Sequence, residues 1–255
     1  MDRKFNNIDE KINGQAKSFK FFLECFINEK ELWGFLCDIA KLTDVYIFSG
    51  VIRNFLLGES LNRDIDIVIC GIDRIKLTIE SLSGFEIRQN SFGGYKLNSC
   101  SIDVDIWGME NTWTIATKNL RRNPYTLVNT AFFNFSSIVY DFNKQRFIYN
   151  DKFVDFYTNK TIDVVNPLNP DKALCIVNTM YYSIKYNLGI RYDLCKWIVD
   201  NYRSEYDYLG TQRRHFRRII FTENQINRFY TFCLNNIIPM KQNKRSFVIR
   251  LNSNG

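Results

Sequence analysis

The sequence predicts an α+β fold, in which a small mixed β-sheet with flanking helices is followed by a helical C-terminal region. Short segments of the N-terminal part alternate apolar and polar residues at a period of two, as strands do, and Asp64–Ile69 is an example. Beyond Pro170 the apolar residues recur at helical spacing, over 171–186 and again over 192–202. No run of about 18 apolar residues occurs, so no transmembrane helix is expected.

The individual elements follow in chain order from apolar spacing and turn residues. Gly93–Gly94 marks a turn between two strands, and Asn143–Gln145 marks the turn of a hairpin. The predicted helices cover residues 17–42, 50–57, 73–82, 171–186, 192–202 and 224–234. The predicted strands cover 45–48, 65–70, 85–88, 95–97 and 102–107, with further short strands between 131 and 148. These elements predict an α/β domain with N-terminal helices over 1–165 and a helical domain over 166–255.

The composition is typical of a globular protein with reduced thiols. The chain has 255 residues, of which 45% are apolar, and it holds seven cysteines and one histidine. The cysteine number is odd, no Cys-x-x-Cys pair occurs, and most of the cysteines have apolar neighbours. The polar N-terminus is not followed by the apolar core of a signal peptide. We therefore expect buried, reduced thiols, a cytoplasmic location and no zinc site.

Part of the net charge of +7 is concentrated in one C-terminal segment. This arginine cluster consists of Arg213, Arg214, Arg217 and Arg218. At helical spacing the four side chains would form a basic stripe that neutralises phosphates. A solvated helix face is an equally good interpretation, and both stay open.

Two of the predicted strands carry alternating aspartates. Asp64 and Asp66 lie two residues apart, so their side chains share one face of the strand while the intervening isoleucines share the other. Asp103 and Asp105 repeat this arrangement in a second strand. Aspartate is unfavourable in strands, so four of them in two strands favour a functional interpretation over exposure to water. Three carboxylates from adjacent strands would hold two divalent metal ions.

A glycine turn lies shortly before the first acidic strand. Phe48–Gly50 leads from a short strand into the helix predicted over 50–57. Backbone N–H groups at a helix N-terminus bind phosphate. Carboxylates beside such a turn make nucleotidyl transfer the leading hypothesis for function.

The segment Ser49–Gly58, followed by Arg63–Ile67, resembles the head-domain signature of bacterial poly(A) polymerases and CCA-adding tRNA nucleotidyltransferases in the DNA polymerase beta superfamily. That signature usually reads Gly-Gly-x-Val-Arg-Asp-x-Leu-Leu-Gly, then a basic residue and Asp-x-Asp. The resemblance covers residues 44–142. It implies a nucleotidyltransferase head that uses an NTP and two Mg²⁺ ions.

The resemblance also implies roles for the carboxylates. Asp64 and Asp66 would bind the catalytic metal ions. Asp105 would be the third carboxylate and would polarise the acceptor hydroxyl, with Asp103 as the alternative.

The same resemblance implies the residues that bind the nucleotide. The turn formed by Ser49 and Gly50 would hold the triphosphate, and Arg53 and Arg63 would support the phosphates or brace the loop. Two residues depart from the signature, because Ser49 replaces its first glycine and Asn54 replaces its aspartate.

The downstream part of the chain departs further from the family. Lys172 and Asn178 fall near positions where the family has arginines, and no segment matches the Glu-Asp-x-x-Arg element with which CCA-adding enzymes select CTP and ATP. The nucleotide preference therefore stays open.

Three hypotheses of function remain. The first is metal-dependent transfer of a nucleoside monophosphate from an NTP to an acceptor hydroxyl, on RNA or a tRNA-like molecule and without a membrane partner. The second is nucleotidylation of a small molecule or a protein, and the third is a catalytically silent nucleotide- or RNA-binding module. Tyr95 could stack on a base or belong to a plain hairpin, and Trp107 and Trp113 could line a pocket or lie in the core.

Overall fold

The structure is a computed structural model that describes residues 2–27, 32–59, 64–90, 93–99, 102–242 and 249–251. The chain divides into two compact units. The first comprises Met1–Ala131 and Ser136–Asp151, and the second comprises Phe132–Phe135 and Lys152–Gly255. The domain boundary at residue 165 stays a prediction.

The described helices and strands are defined as follows. The helices are α1 (Asp2–Asn13), α2 (Ala16–Ile27), α3 (Leu32–Ile39), α4 (Gly50–Leu57), α5 (Lys76–Glu80), α6 (Trp113–Lys118), α7 (Pro124–Val128), α8 (Asp151–Asn159), α9 (Lys172–Lys185), α10 (Tyr192–Asn201), α11 (Tyr208–Phe216) and α12 (Glu223–Gln242). The strands are β1 (Val45–Phe48), β2 (Asp64–Ile69), β3 (Glu86–Gln89), β4 (Tyr95–Asn98), β5 (Asp103–Gly108), β6 (Ile138–Asp141), β7 (Arg146–Tyr149), β8 (Thr161–Ile162) and β9 (Gly189–Ile190). Short 3₁₀ turns cover Ile72–Ile75, Met109–Asn111 and Asn134–Ser136.

A seven-stranded mixed sheet forms the centre of the first unit. Its strand order is β3-β4-β5-β2-β1-β6-β7. β2 and β5 pair in parallel, and the other neighbouring strands pair antiparallel. The predicted fold class, a small mixed sheet with flanking helices followed by a helical C-terminal region, is confirmed.

One face of this sheet is apolar across its central strands. Ile47, Ile67 and Ile106 are register partners on this face, and all three are buried. Phe19 of α2 packs edge-on against Tyr140 of β6, with their ring centroids 4.9 Å apart. α4 contacts β1, β2 and β6, so packing against the sheet fixes the position of its N-terminus.

The opposite face is apolar at one end and acidic at the other. Tyr46 and Val68 form a hydrophobic cluster with Ile115 of α6 and Leu127 of α7. Asp66 precedes Val68 by two residues and therefore points to the same face, beyond the end of this cluster. The alternating pattern of β2 thus serves the core at one end and presents a carboxylate at the other.

The N-terminal helices differ from the sequence prediction. The helical segment predicted over 17–42 is described as two helices, α2 and α3, with residues 28–31 outside the described residues, and α1 precedes them. The residues of α1 are mostly polar, so the spacing of apolar residues gives no signal for this helix. The helix predicted over 50–57 begins and ends at the same residues as α4.

The second unit is mainly helical. A two-stranded parallel sheet of β8 and β9 accompanies α9 to α12, and α10 packs against α12. Within the described ranges, none of the helices is both long enough and apolar enough to cross a membrane.

The cysteines are less buried than the sequence predicts. Cys175, Cys195 and Cys233 are buried free thiols, but Cys25 is exposed. Cys195 donates a hydrogen bond of 3.4 Å to the carbonyl oxygen of Cys233, which joins α10 to α12. The prediction of buried thiols is therefore wrong for Cys25, which lies on the exposed side of α2.

Candidate active site

The four aspartates lie together on one face of the sheet. β2 and β5 are adjacent and parallel, and their register pairs Asp64 with Asp103 and Asp66 with Asp105. Paired residues on neighbouring strands point to the same face. The two acidic strands therefore present a single group of carboxylates.

The carboxylates of this group repel one another, as the pKa of Asp66 shows. The pKa of Asp66 is raised to about 7, first by burial and then by the carboxylates of Asp105 and Asp64. The cations Lys96 and Arg53 oppose this rise without cancelling it. A carboxylate whose pKa is raised by neighbouring carboxylates gains stability from a bound cation.

Asp103 and Asp105 have different hydrogen-bond partners. Lys96 of β4 forms an ion pair with Asp105, with Nζ 3.0 Å from Oδ1. Both side chains of this pair are largely exposed, so the pair contributes little stability and can separate. Asn98 donates a hydrogen bond of 2.8 Å from Nδ2 to Oδ1 of Asp103. Asp105 therefore becomes available to another cation once Lys96 moves away.

The turn formed by Ser49 and Gly50 lies at the end of the central strands that carries the aspartates. Phe48, the last residue of β1, is paired with Asp66. Ser49 follows with φ 45° and ψ −78°, a backbone conformation that favours glycine. A Cβ added at Gly50 would meet no atom within 4 Å. The backbone at Gly50 thus borders open space in which a phosphate has room.

Arg53 is buried within α4. Its side chain is 4% exposed, and its Nε and Nη2 each donate a hydrogen bond of 3.2 Å to Oδ1 of Asn54. At the position where the family signature has an aspartate, Asn54 therefore accepts charge-assisted hydrogen bonds from Arg53. Arg63, the other predicted phosphate ligand, lies outside the described residues.

A cavity of about 500 Å³ adjoins the carboxylates. Asp66 and Asp105 line one side of it, and Trp107 and Trp113 contribute to its wall. Trp113 thus lines a pocket, whereas Trp107 both lines the pocket and packs against the hydrophobic cluster of the core. Two further lining residues, Asn90 and Asn111, were not predicted, because single asparagines outside any motif give no signal.

Tyr95 is among the residues that line this cavity, but its ring does not stack over the carboxylates. Its side chain is 3% exposed, and its register partner is Ile106, which lies on the apolar face of the sheet. Burial raises the pKa of Tyr95, and Glu80 of α5 adds to the rise. The hypothesis that Tyr95 stacks on a base is wrong, because the period of two along β4 directs its ring to the opposite face.

The donor atoms suit a hard divalent cation. Oxygen ligands, and carboxylates in particular, are those that Mg²⁺ binds in proteins, and Asp64, Asp66 and Asp105 supply them. Among the residues that the structure describes, no three His, Cys, Asp or Glu side chains converge into a complete metal site. The raised pKa of Asp66 and the open space at Gly50 nevertheless fit a cation and its phosphate.

The predicted basic residues of the second unit lie on two helices. The arginine cluster is exposed and falls at the C-terminal end of α11. Within it Arg214 pairs with Asp207, with Nη1 3.5 Å from Oδ2. Lys172 is exposed at the start of α9, and Oδ1 of Asn178 is buried without a hydrogen-bond partner among the described residues. The positive charge of the arginine cluster thus lies at the C-terminal end of α11, and that of Lys172 at the start of α9.

Comparison with solved structures defines the class of fold. The chain has the fold of solved tRNA nucleotidyltransferases, so the predicted resemblance is confirmed at the level of the fold. No protein-family model matches the sequence, and no curated protein matches it at a significant level. The likeness is therefore one of tertiary structure.

Three solved structures illustrate this similarity. A CCA-adding enzyme in complex with CTP is 15% identical, with a TM-score of 0.57 over 92% of this chain and 53% of its own. A tRNA nucleotidyltransferase complexed with a primer tRNA and an incoming ATP analog is 15% identical, with a TM-score of 0.58 over 79% and 61%. The apo form of a CCA-adding enzyme is 14% identical, with a TM-score of 0.60 over 83% and 53%. This chain spans between 53% and 61% of the lengths of these structures.

Proposed function

We propose that this protein is a metal-dependent nucleotidyltransferase that transfers a nucleoside monophosphate from an NTP to an acceptor hydroxyl on RNA. One observation carries the proposal: the register of the sheet sets Asp66 beside both Asp105 and the end of β1, where the Ser49–Gly50 turn begins. The carboxylates and the turn that would bind phosphate therefore lie at the same end of these strands.

Each residue at this end of the strands has a role in the proposed reaction. Asp64, Asp66 and Asp105 would hold Mg²⁺, which when bound would lower the pKa of the attacking hydroxyl and neutralise the leaving group. Backbone N–H groups after Ser49 would bind the β- and γ-phosphates. Asp105, or Asp103 in its place, would accept the hydroxyl proton.

The bonds change as in other phosphoryl transfers. The acceptor oxygen forms a bond to the α-phosphorus, the bond between that phosphorus and the bridging oxygen breaks, and pyrophosphate leaves. The proton of the hydroxyl passes to the carboxylate of Asp105.

RNA is the acceptor that the charge distribution supports. The arginine cluster exposes four guanidinium groups at the end of α11, and the phosphate backbone of RNA dominates such electrostatic binding. One structurally similar protein was solved with a primer tRNA. The cytoplasmic location expected from the sequence stays a prediction.

A small-molecule acceptor is the second candidate function. The cavity beside Asp66 and Asp105 is the observation that favours it, because a concave and mainly apolar space suits a small ligand. A catalytically silent binding module is the interpretation that remains if the purified protein binds NTP without turning it over.

The proposal is tested with Mg²⁺, each NTP labelled at the α-phosphate, and total tRNA. We expect label in RNA with the wild type, and a rate lower by roughly 10²- to 10⁴-fold with Asp105→Asn, because a positioned proton acceptor contributes about that much. Asp44→Asn is the matched control, since Asp44 is exposed at the opposite end of β1. Asp103→Asn compares the two candidate carboxylates directly.

Each result of this assay assigns the function differently. Loss of activity with Asp103→Asn but not with Asp105→Asn would exchange the two roles. Label that appears only in a small molecule would establish the second candidate. Absence of label from RNA, protein and small molecules with every NTP would contradict the proposal.

A further inference from the structure

We propose that the cavity beside Asp66 and Asp105, here called the acceptor cavity, binds the ring-bearing terminal group of the acceptor, about one nucleoside in size. This inference rests on the proposed function, because it names what presents the attacking hydroxyl. Its evidence is the place of the cavity in the sheet, the chemistry of its wall and its volume.

The strand order places the carboxylates between two binding regions. In the order β4-β5-β2-β1, the Ser49–Gly50 turn follows β1, whereas the acceptor cavity is lined from the side of β4, β5 and α6. Asp66 on β2 and Asp105 on β5 lie between these regions and face the cavity. A hydroxyl held in the cavity therefore reaches the carboxylates from the side opposite the Ser49–Gly50 turn. Phosphoryl transfer requires this arrangement, with the attacking and leaving oxygens roughly in line.

The wall of the cavity offers flat aromatic surfaces. Trp113 begins α6 and is 44% exposed, which is unusual for so large an apolar side chain. Trp107 is held in place because its Nε1 donates a hydrogen bond of 3.1 Å to Oγ1 of Thr112 and its ring packs edge-on against Phe48. Indole rings with free faces stack on nucleobases and similar planar rings.

Two amides supply polar contacts next to these rings. Oδ1 of Asn90 accepts a hydrogen bond of 3.0 Å from the N–H of Gly94, which fixes the orientation of its side chain. A Cβ at Gly94 would lie 2.9 Å from Nδ2 of Asn90, so the tight approach depends on glycine here. Asn111 makes no side-chain hydrogen bond within the described residues, and its amide can both donate and accept. Such an amide suits the edge of a heterocyclic ring.

Charge and volume restrict the ligand further. The lining of the cavity, as far as the structure describes it, contains no lysine or arginine, so it suits an uncharged ring better than a phosphate. A volume of about 500 Å³ holds one small ligand and not a folded segment. The ring can come from the 3′-terminal nucleoside of an RNA or from a free nucleoside-like molecule.

Direct binding tests the inference without catalysis. Adenosine, cytidine, guanosine and uridine are titrated into the full chain by calorimetry, with wild type and Trp113→Ala. We expect at least one nucleoside to bind, and the variant to bind it about 5-fold more weakly or worse, because loss of one stacking partner has about this effect. Tyr125→Ala is the matched control, since Tyr125 is an aromatic residue on neighbouring α7 that is 58% exposed and does not line the cavity.

The outcomes separate this inference from the proposed function. If Mg²⁺ and NTP bind but no nucleoside does, or if Trp113→Ala and Tyr125→Ala bind alike, the inference is overturned while the proposed function stands. If a non-hydrolysable NTP analog displaces the nucleoside, the cavity holds the base of the NTP and the inference fails. If nucleosides bind in a Trp113-dependent way but NTP never does, the cavity is a nucleoside site and the proposed function fails.

A competition experiment distinguishes the two sources of the ring. A short RNA with a free 3′ hydroxyl that displaces the nucleoside identifies the RNA terminus as the ligand. The same RNA with a blocked 3′ end is its control. Failure of both RNAs to compete, with nucleoside binding intact, assigns the cavity to a free small acceptor.

Discussion

The carboxyl group of Asp66 titrates near neutral pH in the metal-free protein, because burial and the carboxylates of Asp105 and Asp64 raise its pKa to about 7 from 3.8. The folded chain therefore binds this proton more tightly than the unfolded chain. The resulting contribution to stability is fully present below about pH 4 and is lost as the pH rises through 7. Mg²⁺ binds the ionised form of Asp66, so bound Mg²⁺ stabilises the folded protein at the higher pH values at which this carboxylate is ionised.

Asp66→Asn tests this electrostatic account. Without metal we expect the variant to exceed the wild type in free energy of unfolding at pH 8 by on the order of 1 kcal/mol, and the difference to shrink toward pH 4. Urea denaturation at several pH values measures this. Excess Mg²⁺ should stabilise the wild type at pH 8 and leave the variant less affected. Parallel pH profiles for the two proteins would contradict the account.

The backbone of Ser49 is strained at the start of α4. Its φ of 45° lies where a side chain is unfavourable, and such strain costs about 1 to 3 kcal/mol. We expect Ser49→Gly to raise the free energy of unfolding by about 1 kcal/mol. Ser81→Gly is the control, because Ser81 has φ −88° and gains nothing from glycine. If both variants lose stability in urea titrations, Ser49 is unstrained.

At the scale of secondary structure, α4 was predictable because local signals agree. Its apolar spacing is helical, Gly50 opens it, and Gly58 closes it with φ 68°, the left-handed conformation typical of a helix C-cap. The short helices α6 and α7 have too few residues to show an apolar period. α7 nevertheless has a local start signal, because Asn123 accepts a hydrogen bond from the N–H of Thr126 and Pro124 begins the helix. α6 depends on tertiary packing, in which Ile115 joins the hydrophobic cluster.

Gly50→Ala tests the role of the N-terminus of α4. The added Cβ meets no protein atom, so we expect the fold to keep its stability, while the methyl group occupies space next to a bound phosphate. The affinity for Mg²⁺-NTP should fall by about tenfold, which corresponds to about 1.4 kcal/mol. Gly34→Ala in α3 is the matched control, since it also meets no atom within 4 Å. If calorimetry gives equal affinities for the two variants, the phosphate does not bind at this turn.

At the scale of the whole molecule, RNA binding should depend on the arginine cluster. Each phosphate neutralised contributes about −0.7 to the slope of log affinity against log salt for a single strand. We expect Arg213→Gln with Arg218→Gln to reduce the size of that slope by about 1.4. Lys196→Gln, an exposed lysine paired with Asp200 in the same unit, is the control. If the double variant has the same slope as the wild type, RNA does not bind at the arginine cluster.

Much of the candidate site is determined by local patterns of the amino-acid sequence. The alternation of β2 assigns Asp64 and Asp66 to one face, because side-chain direction in a strand depends only on residue parity. The glycine turn and its helix are equally local. Neither signal needs information about distant residues.

The remainder was decided by tertiary structure. Parity along β5 leaves open which strand lies beside it, and pairing with β2 in parallel sets Asp105 next to Asp66. The acceptor cavity likewise combines Asn90, Asn111 and Trp113 from segments with no shared motif. Strand neighbours and cavity walls arise from long-range packing of the apolar faces, and no local pattern of residues specifies them.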